Sequence, residues 1–364
     1  MFDICPKVTI DLSAIKENYQ MISKILGKNV IASAVVKNDA YGLGAQKVSQ
    51  ALYEIGCTNF WTAYIKEAID IRRVLPLDAN IFFLQGFSNL DIDLMKAYKV
   101  TPVINSLEDF YNIKDKGIGF VLHVDSGLSR LGLRFEDIDE ILPFLKNEEV
   151  YYVISHLACS DEKDNEINIM QKISFDRSLS KIRKVVDVKA GISASGGVML
   201  GKEYNYDMVR IGGFLYGIQA APNIKLKNVF SLKTSVLQRY KLPPDAFIGY
   251  GATFKTTRET TLAVISIGYA DGIKCSLSNK GTIEFYDRFG KVYRAPILGK
   301  ISMDLIACDV TDIPEDATNV SSIAVVIDEN YSINEMAIDA GTIPYEILTS
   351  INFKSKRFSI LYKD

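Results

Sequence analysis

The 364-residue sequence holds no apolar run approaching the roughly 18 residues that a membrane-spanning helix requires, because charge or proline interrupts every candidate. Its opening residues, Met1-Phe2-Asp3-Ile4-Cys5-Pro6-Lys7, lack the basic stretch followed by an apolar stretch that marks an export signal. Neither membrane insertion nor export is expected. Excess charge of one sign is lacking too: 42 basic and 44 acidic residues are interspersed to a net charge of −2, which leaves no polybasic face for nucleic acid or an anionic membrane. The expected partner is a small molecule. Cysteine is sparse, with residues at 5, 57, 159, 275 and 308, and shows neither metal-ligand spacing nor the density of a secreted disulfide scaffold. These read as reduced thiols in a cytoplasm, with no metal site. There is no solenoid-period repeat, no low-complexity tract and no Gly/Ser-rich linker.

What is present is ample material for burial, 48% apolar residues over a length that exceeds what one core usually organises. Val8–Leu12 reads as a short strand, and Ser13 is expected to cap a helix running to about Leu26 with Gly27 as its stop. Strand-like runs then recur at about 31–36, 59–63, 81–84, 100–104, 119–124, 150–156, 188–194 and 207–210, most separated by a helix-period segment. Eight βα alternations predict a (β/α)8 TIM barrel, with a doubly wound sheet as the alternative that gives the same alternation. From about residue 228 short strands at 235–237, 261–267, 282–285, 305–310 and 322–326 stand between Gly, Pro, Asn and Asp, predicting a C-terminal all-β domain. The expected division is 1–230 and 231–364, with residues 1–12 a strand that joins the β domain.

Chemistry-bearing residues fall where the predicted barrel strands end, the face on which such barrels carry active sites: Lys37, His123, Asp125, His156, Ser195 and Arg210. A lysine at the mouth of an interior strand is partly desolvated, which lowers its pKa and leaves a nucleophilic amine able to condense with a carbonyl. Adjacent glycines in Ser195-Gly196-Gly197 and Arg210-Ile211-Gly212-Gly213 would let backbone N–H groups approach an anion after the seventh and eighth strands.

Val36-Lys37-Asn38-Asp39-Ala40-Tyr41-Gly42-Leu43-Gly44 resembles the cofactor-lysine motif of the alanine racemase family, whose lysine carries pyridoxal 5'-phosphate (PLP). The resemblance continues in order through Asp125-Ser126-Gly127-Leu128-Ser129-Arg130-Leu131-Gly132, His156, Ser195, Arg210, Gly249-Tyr250-Gly251, Ile267-Gly268-Tyr269-Ala270-Asp271-Gly272, Gly299-Lys300-Ile301-Ser302-Met303-Asp304 and Tyr345, nearly the whole chain.

The resemblance implies a PLP-dependent racemase interconverting L- and D-alanine, supplying D-alanine for peptidoglycan. It implies that Lys37 and Tyr250 are bases on opposite faces of the substrate Cα, the phenol needing a nearby cation such as Arg130 to work near neutral pH. Ser195, Gly212, Gly213, Tyr41 and Tyr345 would hold the cofactor phosphate, Arg210 would face the pyridine nitrogen, and His156 would support Arg210. Arg130 would meet the cofactor's phenolic oxygen and the substrate carboxylate, Met303 would bind that carboxylate through its backbone N–H, and Tyr269 and Tyr345 would narrow the entrance. The family's site is shared across a head-to-tail homodimer.

His123 departs from the pattern, since many members have a carbamylated lysine there; Lys300 and Ile211 stand where arginine and proline are common. Two alternatives remain at this stage: a racemase of another small amino acid such as serine, and a barrel-type PLP amino-acid decarboxylase, disfavoured because no Glu-Pro-Gly-Arg-like segment or glycine triplet occurs.

Overall fold

A computed structural model describes residues 5–219, 224–351 and 357–364. Residues 1–4 of the expected N-terminal segment lie outside them. The chain forms two compact units, one of residues 15–227 and one that joins the N-terminal residues through Ala14 to Asn228–Asp364.

Strand β1 (Lys7–Asp11) belongs to the second unit. The helix that follows, Leu12–Leu26, is capped by Asp11 rather than by Ser13: an Asp11 carboxylate oxygen accepts the Ala14 N–H at 2.8 Å and the Ser13 hydroxyl at 2.6 Å. A carboxylate accepts more strongly at the positive end of a helix than a hydroxyl does, so the cap falls two residues earlier than expected.

Residues 15–227 contain eight parallel strands, β2 (Ile31–Val35), β3 (Asn59–Thr62), β4 (Asn80–Phe83), β5 (Thr101–Ile104), β6 (Phe120–His123), β7 (Val150–Ile154), β8 (Lys189–Gly191) and β9 (Met208–Ile211). They are hydrogen-bonded in the order β8-β7-β6-β5-β4-β3-β2-β9. The ring closes beyond β8 through a bridge of Ala194 with Arg210, the Arg210 N–H donating to the Ser193 carbonyl at 3.1 Å. This is the barrel. Its strands are short apolar runs because both faces are covered; the four residues of β3 are all buried, and Trp61 stacks on Phe82 with ring centroids 4.4 Å apart. Helices Ala45–Glu54, Ile65–Arg72, Ile92–Tyr98, Leu107–Ile113, Phe135–Leu145 and Glu166–Arg183 fill the crossovers, and only short 3₁₀ turns separate β8 from β9.

The other unit is built on β10 (Phe230–Leu242), whose alternating burial over most of its length marks a sheet with one face on the core. It pairs antiparallel with β1, with β13 (Thr260–Ile265) and with β17 (Ile323–Ile327). A small hairpin of β11 (Phe247–Ile248) and β12 (Phe254–Lys255) precedes β13. Strands β14 (Thr282–Tyr286), β15 (Val292–Pro296) and β16 (Ile306–Asp309) extend the sheet, and β18 (Ser359–Lys363) lies parallel to β1. The domain is mostly β, not wholly β as expected, since it also holds helices Glu315–Thr318, Ile333–Ala340 and Pro344–Ser350.

Candidate active site

Three residues past β2 the backbone turns left-handed: Asn38, Asp39, Ala40 and Tyr41 all have φ between 50° and 58°. Such a run is costly for residues with a Cβ and persists only where its surroundings hold it. Glu67 does so, accepting the Asn38 N–H and the Ala63 N–H, each at 2.7 Å, while Asp39 accepts the Ala45 N–H at 2.9 Å. Lys37 stands at the start of this turn. Burial lowers the pKa of its amine, Arg130 and Arg210 lower it further, and Glu67 opposes them.

Arg210, on β9 and 5% exposed, directs its guanidinium at backbone carbonyls of the strand ends: Gly191 at 3.1 Å, Ile192 at 3.5 Å and Ser155. Its charge lies 5.7 Å from the Trp61 ring centroid. Burial alone brings its pKa down to about 10, so it remains a cation at neutral pH. Among the described residues no carboxylate pairs with it. Ser155 also links to the Arg130 loop, since its hydroxyl donates to the Val124 carbonyl at 2.7 Å and lies 2.8 Å from the Ser126 hydroxyl. One of the contacts that support Arg210 therefore comes from the carbonyl of Ser155, the neighbour of His156.

Arg130 sits on a loop closed by two backbone bonds, Asp125 N–H to the Leu133 carbonyl at 2.9 Å and Leu133 N–H to the His123 carbonyl at 2.7 Å. Gly132, at φ 118°, is required because a Cβ would meet the Asp125 nitrogen at 2.7 Å. His123 is held by Asn105. The Asn105 amide nitrogen donates to the carbonyls of Leu84 and Val103 at 3.0 and 3.1 Å, so its oxygen faces His123 Nδ1 at 2.8 Å and that nitrogen carries the proton. Burial, with Arg210 and Arg130 adding to it, lowers His123 to about 4 and His156 to about 3, so both imidazoles are neutral at pH 7. Lys37, Arg130, Arg210 and the two histidines thus influence one another at one end of the barrel, a field suited to anions.

The anion cradle lies after β8 and β9. The Ser195 hydroxyl oxygen accepts N–H groups of Gly212 and Phe214 at 3.1 and 3.2 Å. A Cβ on Gly212 would fall 2.6 Å from the Tyr41 hydroxyl, so this glycine lets Tyr41 enter. The Tyr41 ring packs 4.7 Å from that of Tyr216, whose hydroxyl donates to the Val35 carbonyl at 2.8 Å. Gly213 opens the 3₁₀ turn Gly213–Tyr216 at the same place.

Tyr250, Tyr269, Met303 and Tyr345 lie in the second unit. Tyr250 is 73% exposed, in a turn between Gly249 and Gly251, and a Cβ on Gly251 would lie 3.5 Å from the Lys300 amine; the cation beside this turn within the unit is Lys300. Tyr269 and Met303 come together, because the Tyr269 and Ala270 N–H groups donate to the carbonyls of Ser302 and Met303, both at 3.0 Å. Tyr345 lies on helix Pro344–Ser350, whose Ser350 hydroxyl donates to the Gly272 carbonyl at 3.0 Å. Sequence reasoning missed Glu67, Asn105, Trp61 and Arg357, each of which acts on a site residue from 18 or more positions away, at a distance no local pattern reports.

Residues 10–220 match the family described as alanine racemase, N-terminal domain, and residues 229–359 match alanine racemase, C-terminal domain. An alanine racemase of Rickettsia rickettsii is 36% identical over 359 residues, covering 96% of this chain and 98% of that protein. A catabolic alanine racemase of Agrobacterium fabrum is 38% identical over 367 residues, covering 96% and 91%. The crystal structure of alanine racemase from Bartonella henselae with covalently bound pyridoxal phosphate superposes with a TM-score of 0.90 at 34% identity, covering 99% of this chain and all of that one. The biosynthetic enzyme of Pseudomonas aeruginosa gives 0.89 at 28% identity over the whole of both chains. With a barrel, a cradle and a basic cluster of this arrangement, and with both family domains matched in order, the chain belongs to the alanine racemase family.

Proposed function

We propose that the protein interconverts L-alanine and D-alanine with PLP held on Lys37. The observation that carries this reading is the pairing of a desolvated Lys37 amine with a polar cluster after β8 and β9, where Gly212 admits the Tyr41 hydroxyl and the Ser195 hydroxyl accepts the N–H groups of Gly212 and Phe214. These residues, with Gly213, fit a phosphate, and Arg210 and His156 fit the ring end; the family resemblance adds Tyr345, a residue of the other unit.

Bound PLP would supply an electron-withdrawing ring that acidifies the substrate Cα–H. The chain's own groups do the rest. Lys37, with its proton affinity lowered by burial, moves the proton on one face of Cα, and Tyr250 moves it on the other; two bases are needed because one base acting on one face returns the original configuration. Arg210 donates a hydrogen bond to an acceptor without surrendering its proton, since a guanidinium with pKa about 10 stays charged. Arg130 pairs its fork with the substrate carboxylate, the Met303 N–H adds a second donor, and Tyr269 and Tyr345 restrict entry to a small side chain. Two copies assemble head to tail, so that Tyr250, Tyr269 and Met303 of one chain complete the site around Lys37 of the other. The enzyme works in the cytoplasm, where its D-alanine feeds peptidoglycan synthesis; Cys57, Cys159, Cys275 and Cys308 are free thiols.

The test is the visible absorbance of the purified protein before and after borohydride, followed by chiral analysis of L-alanine incubated with the untreated enzyme. Lysine-bound PLP together with D-alanine is expected. Bound PLP without D-alanine would redirect the reading to another amino acid or to decarboxylation, and no PLP in cofactor-supplied protein would end it.

A further inference from the structure

Arg357 lies outside every motif described above, yet it ties two of them together. Its Nε donates to one Asp271 carboxylate oxygen at 2.6 Å, and one terminal nitrogen reaches the other Asp271 oxygen at 3.5 Å and Asp304 at 2.5 Å. Asp271 ends the Tyr269 turn and Asp304 follows Met303. The Asp271 carboxylate is almost wholly buried, and it also accepts the Gly268 N–H at 2.9 Å, closing the Tyr269 turn.

The two turns touch through backbone. A Cβ on Gly268 would lie 2.3 Å from the Ser302 carbonyl oxygen and 2.4 Å from that of Met303, so any shift of one turn moves the peptides of the other. The helix that bears Tyr345 ends on the same turn, because a Cβ on Gly272 would meet the Ser350 carbonyl at 2.3 Å.

We infer that Arg357 is a positioning residue for the substrate end of the site, a staple that uses Asp271 and Asp304 to hold the Tyr269 turn against the Met303 peptide. This rests on the assignment of Tyr269 and Met303 to the substrate made under Proposed function. The fork is required: one guanidinium spans two carboxylates on two turns, whereas a lysine amine reaches them as a single point. Without the fork, the buried Asp271 charge loses its counterion and the turn must rearrange to hydrate it. A carboxylate-binding N–H displaced by that rearrangement weakens substrate binding, while Lys37, Tyr41, Ser195, Gly212 and Gly213, all residues of the other unit, keep their own partners.

The experiment compares PLP-loaded wild type with Arg357→Ala, Arg357→Lys, Asp304→Asn, the Arg357→Ala/Asp304→Asn pair and Tyr269→Ala, reading KM and kcat for alanine in both directions, bound-PLP absorbance and Tm. In Arg357→Ala the expected result is a KM raised about tenfold with kcat changed no more than about threefold and PLP absorbance intact. Arg357→Lys recovers part of the KM, and the double variant is no worse than Arg357→Ala, because both changes cut one connection. A lowered Tm with KM unchanged in both Arg357 variants would overturn the proposal, as would additive KM effects in the double variant. Should Arg357→Ala not fold, Arg357→Lys and Asp304→Asn carry the same comparison. A raised KM in Tyr269→Ala beside an unchanged KM in Arg357→Lys would overturn the staple alone; an unchanged KM in Tyr269→Ala would overturn the substrate assignment beneath it.

Discussion

Four consecutive residues after Lys37 occupy the left-handed region, at a cost of roughly 1–2 kcal/mol each for residues with a Cβ. The Glu67 and Asp39 carboxylates, which accept backbone N–H groups on the turn itself and at its exit, help to hold it against that strain. The result is that Lys37 is followed by a rigid loop and Tyr41 is brought under the cradle. Gly212 closely abuts the Tyr41 hydroxyl, so Gly212→Ala is expected to push Tyr41 aside and weaken PLP binding at least about tenfold, through displacement of a positioned group. Dialysis of the loaded enzyme against buffer, with bound absorbance followed over time, checks it. Gly86→Ala is the control, since a Cβ there meets only Asp109 at an ordinary 3.7 Å; equal retention in the two variants would show that the close approach has no bearing on the cofactor.

The elements of the barrel were legible in the sequence because buried parallel strands are short, continuous apolar runs, and all eight expected runs overlap strands β2–β9. The second unit was less so. Strand β15 reads Val-Tyr-Arg-Ala-Pro, with charge and proline that argue against a strand, and Arg294 is tolerated there because it pairs across the ladder with Glu284 of β14 at 3.1 Å. Helix Ile333–Ala340 did carry a local signal: Ser332 and Glu335 form a capping box, the Glu335 N–H donating to the Ser332 hydroxyl at 3.3 Å. The cradle glycines and Lys37 were readable from their motifs, whereas Asn105, Glu67 and Arg357 owe their roles to contacts between distant elements. Glu284 yields a prediction at this scale. Its side chain is fully buried, and burial, with the Asp328 carboxylate adding to it, raises its pKa from 4.5 to about 7 despite Arg294. Between those values the native state holds a proton that the unfolded chain has lost, so stability falls as pH rises from 4.5 to 7, by on the order of 2–3 kcal/mol. Glu284→Gln keeps an acceptor for Arg294 and cannot ionise. It is expected to melt above wild type at about pH 8 and to lose most of that difference near pH 5; parallel melting curves across the range would refute a buried proton at this site.

At the scale of the whole molecule, the bases proposed for the two faces of Cα come from different units, Lys37 from residues 15–227 and Tyr250 from the β-rich unit. Tyr250, Tyr269 and Met303 are 73%, 44% and 52% exposed on the single chain, an unusual state for side chains that must exclude water from a reacting carbon. The second copy proposed above would cover them, and symmetry would then fix the arithmetic of complementation. In a heterodimer of Lys37→Ala and Tyr250→Phe chains, one site receives both defects and the other receives none. Refolding the two inactive variants together in equal amounts makes half of the dimers mixed, each with one intact site of two, so about a quarter of wild-type activity should return. Purified heterodimer should reach about half. Were Lys37 and Tyr250 of the same chain to meet, every chain in the mixture would still carry one defect and no activity would return, whatever the dimer content measured by native mass spectrometry.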